Sequence, residues 1–226
     1  MQVILKNTRG RLMENEEYIT VQSMDKRSIV TLNRPQKANA LNARMLLMLT
    51  EALQDIDENE DIHCVLITGA GDRVFCGGAD LSEPETMRNS SLWEGLGAAL
   101  GNLAVPSIAL INGACIGGGL TLARACDLRI AVVDSVFGYP VLRNQVLPGP
   151  GEIRRFESVM GAGGAAKLLL AGQRMTAQEA LTSGLLNEVV DKSNLATAGM
   201  TYSEDACKGP REHAVKLKTL LRGKGQ

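Results

Sequence analysis

Two short apolar runs, each ending in glycine, constrain the fold of this chain more than any other feature of its sequence. Cys64-Val65-Leu66-Ile67-Thr68 stops at Gly69-Ala70-Gly71, and Ser107-Ile108-Ala109-Leu110-Ile111 stops at Asn112-Gly113. A run without polar alternation reads as a strand buried on both faces, the pattern of a parallel sheet covered by helices. Helical segments separate these runs. Asn42 caps a stretch reaching Glu58 that carries Met45, Leu46, Leu49, Leu53 and Ile56 at helical spacing. A second helix is read over 92–103, and a third opens at Gly117-Gly118-Gly119 before another strand over 128–132. Strands alternating with helices of this length predict an α/β architecture with crossover connections rather than a β-sandwich.

The flanks are simpler. Residues 18–22 and 28–32, separated by Met24-Asp25-Lys26, read as a hairpin. The last third reads helical over 152–160, 165–170, 177–183 and 212–221, with one strand over 187–190. Residues 1–16 are polar and aperiodic and read as a loose leader. With 226 residues, 45% of them hydrophobic and 22% charged, the chain has enough apolar surface for one core. The expected division is a leader over 1–16, a core over 17–190 and a short helical region over 191–226.

Composition narrows the partners. A formal net charge of -1 with mixed signs leaves no electrostatic footprint for nucleic acid or an anionic membrane. Val3-Ile4-Leu5 is too short for a signal-peptide core or a membrane span, so a cytoplasmic protein is expected. The five cysteines, Cys64, Cys76, Cys115, Cys126 and Cys207, are odd in number and widely spaced, which fits free thiols. Together with His63 and His213 they form no zinc-ligand spacing, and no metal is expected.

A strand that runs through glycine into a helix leaves unpaired N–H groups at the helix N-terminus, with the positive end of its dipole behind them. Each glycine loop therefore has two readings, an anion-binding turn or a tight packing turn. Neither loop carries the G-x-G-x-x-G dinucleotide spacing, and there is no G-x-x-x-x-G-K-[ST] phosphate loop.

Taken together, Phe75-Cys76-Gly77-Gly78-Ala79-Asp80-Leu81, the run 111–120 with its triple glycine, Cys126-Asp127-Leu128-Arg129 and Phe137-Gly138-Tyr139-Pro140 resemble the crotonase (enoyl-CoA hydratase/isomerase) superfamily. The resemblance extends from Asn33-Arg34-Pro35-Gln36-Lys37-Ala38-Asn39-Ala40-Leu41 to Gly184-Leu185 and covers residues 18–190. It implies a crotonase-like (ClpP/crotonase) spiral of repeated ββα units with a helical C-terminal region, assembled as a homotrimer or a hexamer. It also implies an acyl-CoA thioester as substrate or ligand, with coenzyme A entering as part of that molecule and no permanently bound cofactor. The thioester oxygen is expected between the backbone N–H groups of Ala79 and Gly118, which would stabilise an enolate or oxyanion. Lys37, Ala38, Ala40, Leu41, Asp80 and Leu81 are the implied contacts for coenzyme A. Lys37 reads equally as a solvated surface charge.

The chain departs from the family pattern where hydration chemistry resides. Family hydratases use two glutamates facing the substrate, one group to activate water and one to deliver a proton. Those positions hold Thr121 and Val141 here. Thr121 can position a water but does not titrate near neutral pH, and Val141 can do neither. Glu152 is either an acid favoured in a helix first turn or a site acid. Tyr139 either lines the acyl pocket or donates a hydrogen bond. Arg143 reads as a surface charge or an anchor for an acidic acyl group. Cys76 and Cys115 lack a base nearby in sequence and are weak nucleophiles. Family members continue past the segment matching 216–221 through helices that close the acyl pocket or pack on a neighbour, so the lid and the oligomer are the least supported expectations. The expected function is an acyl-CoA-processing enzyme of this family, of lyase or isomerase type but not a standard hydratase. The alternatives are a non-catalytic acyl-CoA binder and a specialised decarboxylase or hydrolase of the same fold.

Overall fold

The computed structural model describes residues 17–83 and 90–223. The expected leader over 1–16 lies outside them. Two sheets organise the chain. The larger has six strands in the order β1-β2-β3-β5-β7-β10: β1 Ile19–Met24, β2 Arg27–Leu32, β3 Cys64–Gly69, β5 Ser107–Ile111, β7 Leu128–Val132 and β10 Glu188–Val190. The smaller has four in the order β4-β6-β8-β9: β4 Val74–Cys76, β6 Ala114–Ile116, β8 Val136–Gly138 and β9 Met175–Thr176. Apart from the β1–β2 hairpin and the β8–β9 pair, every strand pairing is parallel.

One unit repeats. β3 and β4, β5 and β6, and β7 and β8 each place a first strand in the large sheet and the next in the small one, and a helix carries the chain to the following pair. These helices are α2 Ser90–Asn102, α3 Gly118–Ala125 and α4 Pro150–Leu169, while α1 Ala43–Glu58 links β2 to β3. The arrangement is the expected spiral of ββα units.

The large sheet is covered on both faces, as its unbroken apolar strands require. Val65 and Ile67 of β3 and Ala109 and Ile111 of β5 join the main core with Met45, Leu49 and Leu53 of α1. The alternate residues Cys64, Leu66, Ile108 and Leu110 form a second core with Leu195 and Cys207. After α5 (Ala177–Thr182), Leu195 opens α6 (Leu195–Tyr202) and Cys207 lies in α7 (Glu204–Lys208), so the C-terminal helices complete the domain. The next helix, α8 (Arg211–Leu221), is tied down by charge: Lys218 Nζ lies 2.8 Å from Asp127 Oδ2 and donates to Val105 O at 2.5 Å.

Side-chain amides brace the corners between the sheets. Asn112 Nδ2 donates to Gly69 O at 2.8 Å and Gly71 O at 2.9 Å. Asn39, fully buried, donates from Nδ2 to Ala70 O and Val74 O, each at 2.9 Å, while its Oδ1 accepts from Arg34 N at 3.0 Å. Asn39 therefore staples the 34–41 loop to the turn that feeds β4.

Some elements lie beyond what the sequence pattern resolved. The four small-sheet strands are two or three residues long, too short to show a periodicity in sequence. The two helices expected over 152–160 and 165–170 are present as two stretches of α4, separated at Gly161 by a non-helical φ of 71° and ψ of 167°. Two short helices, α6 and α7, lie within the region 191–226 read as helical, where only 212–221 was delimited as a segment, since one helical turn or two carries little pattern.

Asn39→Ala should lower stability by about 2 kcal/mol, because two part-buried carbonyls and one buried N–H lose their partner together. Urea unfolding followed by circular dichroism measures it.

Candidate active site

The small sheet delivers two glycine loops to one place. β4 and β6 are parallel neighbours with Cys76 opposite Cys115, so both chains leave the sheet at the same edge. Gly78 follows β4 with a φ of +104°, and a β-carbon there would lie 3.0 Å from Ile116 O and 3.5 Å from Gly118 N. Glycine alone permits that backbone angle and that approach together. Packing restricts the second loop as well. A β-carbon on Gly119 would lie 2.6 Å from Cys76 Cβ, and one on Gly118 would lie 2.4 Å from Cη2 of Trp93 on α2.

Hydrogen bonding sets the direction of the two amides. Ala79 forms an isolated parallel bridge with Leu41, in which Leu41 N donates to Gly78 O at 2.7 Å and Asp80 N donates to Leu41 O at 2.9 Å. A parallel bridge of this kind uses the groups flanking its central residue, so the N–H of Ala79 faces away from Leu41. Gly118 is the first residue of α3, and its N–H has no intrahelical acceptor. Neither N–H meets an acceptor among the described residues, and the two belong to loops in van der Waals contact.

The surrounding loop is held by internal bonds. Gly77 N donates to Ala38 O at 2.8 Å, and Cys76 Sγ to Asn39 O at 3.2 Å. Arg34 Nη1 lies 2.5 Å from Asp80 Oδ2, with both side chains nearly buried. Asp80 Oδ1 also accepts from Ser82 N and Ser82 Oγ. The Ser82 hydrogen bond and the Arg34 guanidinium hold the Asp80 carboxyl down at about 2 against the opposing effect of burial.

Two of the residues expected to contact coenzyme A are committed internally. Leu41 is fully buried in the core, and the Asp80 carboxylate joins its own loop to the 34–41 loop, so neither side chain is open to a ligand. Lys37 and Leu81 are exposed and Ala38 and Ala40 are partly exposed around the same loop.

The third wall comes from β8 and α4. β8 pairs with β6, and Gly117 N donates to Gly138 O at 2.8 Å, which sets Tyr139 beside the glycine loop. Tyr139 O–H donates to Glu152 Oε1 at 3.1 Å. Thr121 Oγ1 donates to the same oxygen at 2.5 Å and lies 3.0 Å from the tyrosine hydroxyl. Glu152 is thus more than a first-turn acid of α4, because its carboxylate leaves its own helix to meet two other elements. Thr121, expected at the first hydratase-glutamate position, is hydrogen-bonded to a glutamate that comes from elsewhere in the chain. Burial and the Glu152 carboxylate raise Tyr139 well above the ordinary phenol range, so its proton stays in place as a donor. Arg124, one turn beyond Thr121 on α3, has a buried Nε without a hydrogen-bond partner and stacks over Phe156 with Cζ 5.9 Å from the ring centroid. Burial and the neighbouring Arg155 bring its guanidinium down to about 10, opposed by the charge of Glu152.

Val141, expected at the second glutamate position, is buried in the main core. Arg143 is exposed. Burial pushes the Cys76 thiol up to about 12 and that of Cys115 well above its ordinary value, so neither is a thiolate near neutral pH. A separate surface recess lined by Lys26, Arg27, Met200, Glu204, Cys207 and Lys208 shares no residue with the glycine loops.

Comparison with known proteins agrees with this architecture. The family model described as enoyl-CoA hydratase/isomerase matches residues 27–225. The chain is 42% identical over 174 residues to the enoyl-CoA hydratase/isomerase relative YngF of Bacillus subtilis, covering 74% of this chain and 67% of that protein. It is 36% identical over 186 residues to the short-chain-enoyl-CoA hydratase of Clostridium acetobutylicum, covering 78% of this chain and 70% of that one. Among solved structures, the enoyl-CoA hydratase of Bacillus anthracis superposes with a TM-score of 0.84 at 31% identity, covering 91% of this chain and 82% of the other. Pseudomonas aeruginosa DspI gives a TM-score of 0.87 at 27% identity, covering 95% of this chain and 90% of the other. This chain belongs to the enoyl-CoA hydratase/isomerase family, with a crotonase-like fold.

The depressed Asp80 carboxyl makes the loop acid-sensitive. A carboxyl whose folded pKa lies below its unfolded value stabilises the fold in full above pH 4, and that contribution fades as the pH falls towards 2. Asp80→Asn should therefore flatten the dependence of the thermal midpoint on pH between 4 and 2, as measured by scanning calorimetry.

Proposed function

We propose that this protein binds an acyl-CoA thioester with its carbonyl oxygen between the N–H groups of Ala79 and Gly118, and stabilises the negative charge that develops there. The observation that carries this reading is the pair of unpaired backbone donors at the ends of adjacent parallel strands. Donors fixed by the fold need no reorganisation as charge appears on the oxygen, which is why such pairs contribute strongly to catalysis. Family membership supports acyl-CoA as the substrate class. The exposed rim of Lys37, Ala38, Ala40 and Leu81 is the surface we assign to coenzyme A, with Lys37 available to a phosphate.

The reaction is not the standard hydration. That chemistry divides two proton-handling tasks between two acids, whereas one expected position is a threonine and the other a core valine. The protein mixed with crotonyl-CoA should therefore leave the conjugated enoyl-thioester absorbance unchanged or nearly so. Rapid loss of that absorbance, relative to heat-killed protein, would overturn this part of the reading.

Ala79→Pro removes one of the two donors. It should lower turnover of a competent acyl-CoA by roughly 100- to 1000-fold while the variant remains folded. Unchanged kcat in a variant with native circular dichroism would refute the two-amide site.

A further inference from the structure

The geometry points to Glu152 as the catalytic acid/base of this site, a single carboxylate that moves a proton on the acyl chain. The inference rests on the two-amide reading above and deepens it. Thr121 is the third residue after Gly118 on α3, and helix positions three apart lie about 5–6 Å from one another on one face. Glu152 Oε1 is hydrogen-bonded to Thr121 Oγ1 at 2.5 Å, so the carboxylate is about one helical turn from the oxyanion amide. Nothing in the local chemistry of α4 requires this placement. A glutamate at the third position of a helix ordinarily turns back towards its own N-cap, but the cap here is Gly149 and the side chain reaches across to α3 and Tyr139 instead.

Both hydroxyl contacts fall on Oε1, and none is recorded for Oε2 among the described residues. Thr121 and Tyr139 therefore act as positioning residues that fix one oxygen and leave the other to act as base. Arg124 adds positive charge to the same neighbourhood.

The proton step balances within this set of groups. Glu152 takes a proton from the carbon next to the thioester carbonyl. The C–H pair becomes the new C=C bond of an enolate, and the negative charge settles on the oxygen held by Ala79 and Gly118. Return of the proton to the same carbon gives exchange with solvent. When the acyl chain carries a β,γ double bond, the enolate extends to a dienolate, and return to the γ carbon gives the conjugated isomer. One carboxylate suffices for removal and return, so double-bond isomerisation or α-proton exchange is the chemistry assigned, and water addition is not.

But-3-enoyl-CoA in deuterated water tests this directly. The wild-type protein should incorporate deuterium and form crotonyl-CoA, read by mass spectrometry and by the growth of conjugated-thioester absorbance. Glu152→Gln preserves side-chain size and a contact for Thr121; it should lose the exchange by at least roughly 100-fold, with thioester affinity by calorimetry within a few-fold of wild type. Glu152→Asp, which keeps the acid, should recover part of the rate. If Glu152→Gln exchanges within tenfold of wild type while Ala79→Pro does not, Glu152 is refuted and the two-amide site stands. If Ala79→Pro exchanges normally, the two-amide site fails instead. Binding of but-3-enoyl-CoA by the wild type without any exchange would overturn the assignment of Glu152.

Discussion

The site depends on one backbone contact, the approach of Gly78 to Gly117 and Gly118. Two parallel strands of the small sheet end there, and their chains turn outward without a β-carbon between them. At this spacing a side chain on Gly78 would meet Ile116 O and crowd Gly118 N, separating the two amides. The same close packing continues one layer down, where Gly119 lies against Cys76. Donors built this way belong to the main chain and need no rotamer to hold them. Their placement is as rigid as the sheet that ends in them.

That sheet is too small to be rigid by itself. Its strands are two or three residues long and cannot form a stable ladder alone. The large sheet supports it through the ββα repeat, with cores on both faces and with Asn39 and Asn112 bracing the corners. The Arg34–Asp80 pair ties the 34–41 loop to the segment that carries Ala79. A nearly buried ion pair gains little net stability, because desolvation offsets much of the attraction. Its effect here is to fix the position of one loop against another, which is what a pair of backbone donors needs.

The polar wall opposite the glycines comes from three separate elements. Thr121 lies on α3, Tyr139 follows β8, and Glu152 is in the first turn of α4. They gather because β8 pairs next to β6 and sends the chain across the same edge of the small sheet. Thr121, the residue expected at the first hydratase-glutamate position, meets a carboxylate that enters from α4. Val141, the residue expected at the second position, is packed in the core.

Sequence reading succeeded where a pattern was long. The buried strands 64–69 and 107–111, the capped helix from Ala43 and the hairpin all showed a period or a cap, and each stands within a residue or two of its expected bounds. The two glycine loops that carry Ala79 and Gly118 were legible for a related reason, since ordered glycine motifs locate them in the chain. The short strands β4, β6, β8 and β9 carried no such signal. Nor did the roles of Leu41 and Asp80, because a leucine or an aspartate beside a glycine loop looks the same whether it faces a ligand or the protein. Sequence by itself thus determined the fold class, the family resemblance and the two glycine loops, all of which rest on local order along the chain. Only the tertiary structure decided that Glu152 meets Thr121 across 31 positions of sequence, because the contact arises from the pairing of strands that neither residue belongs to.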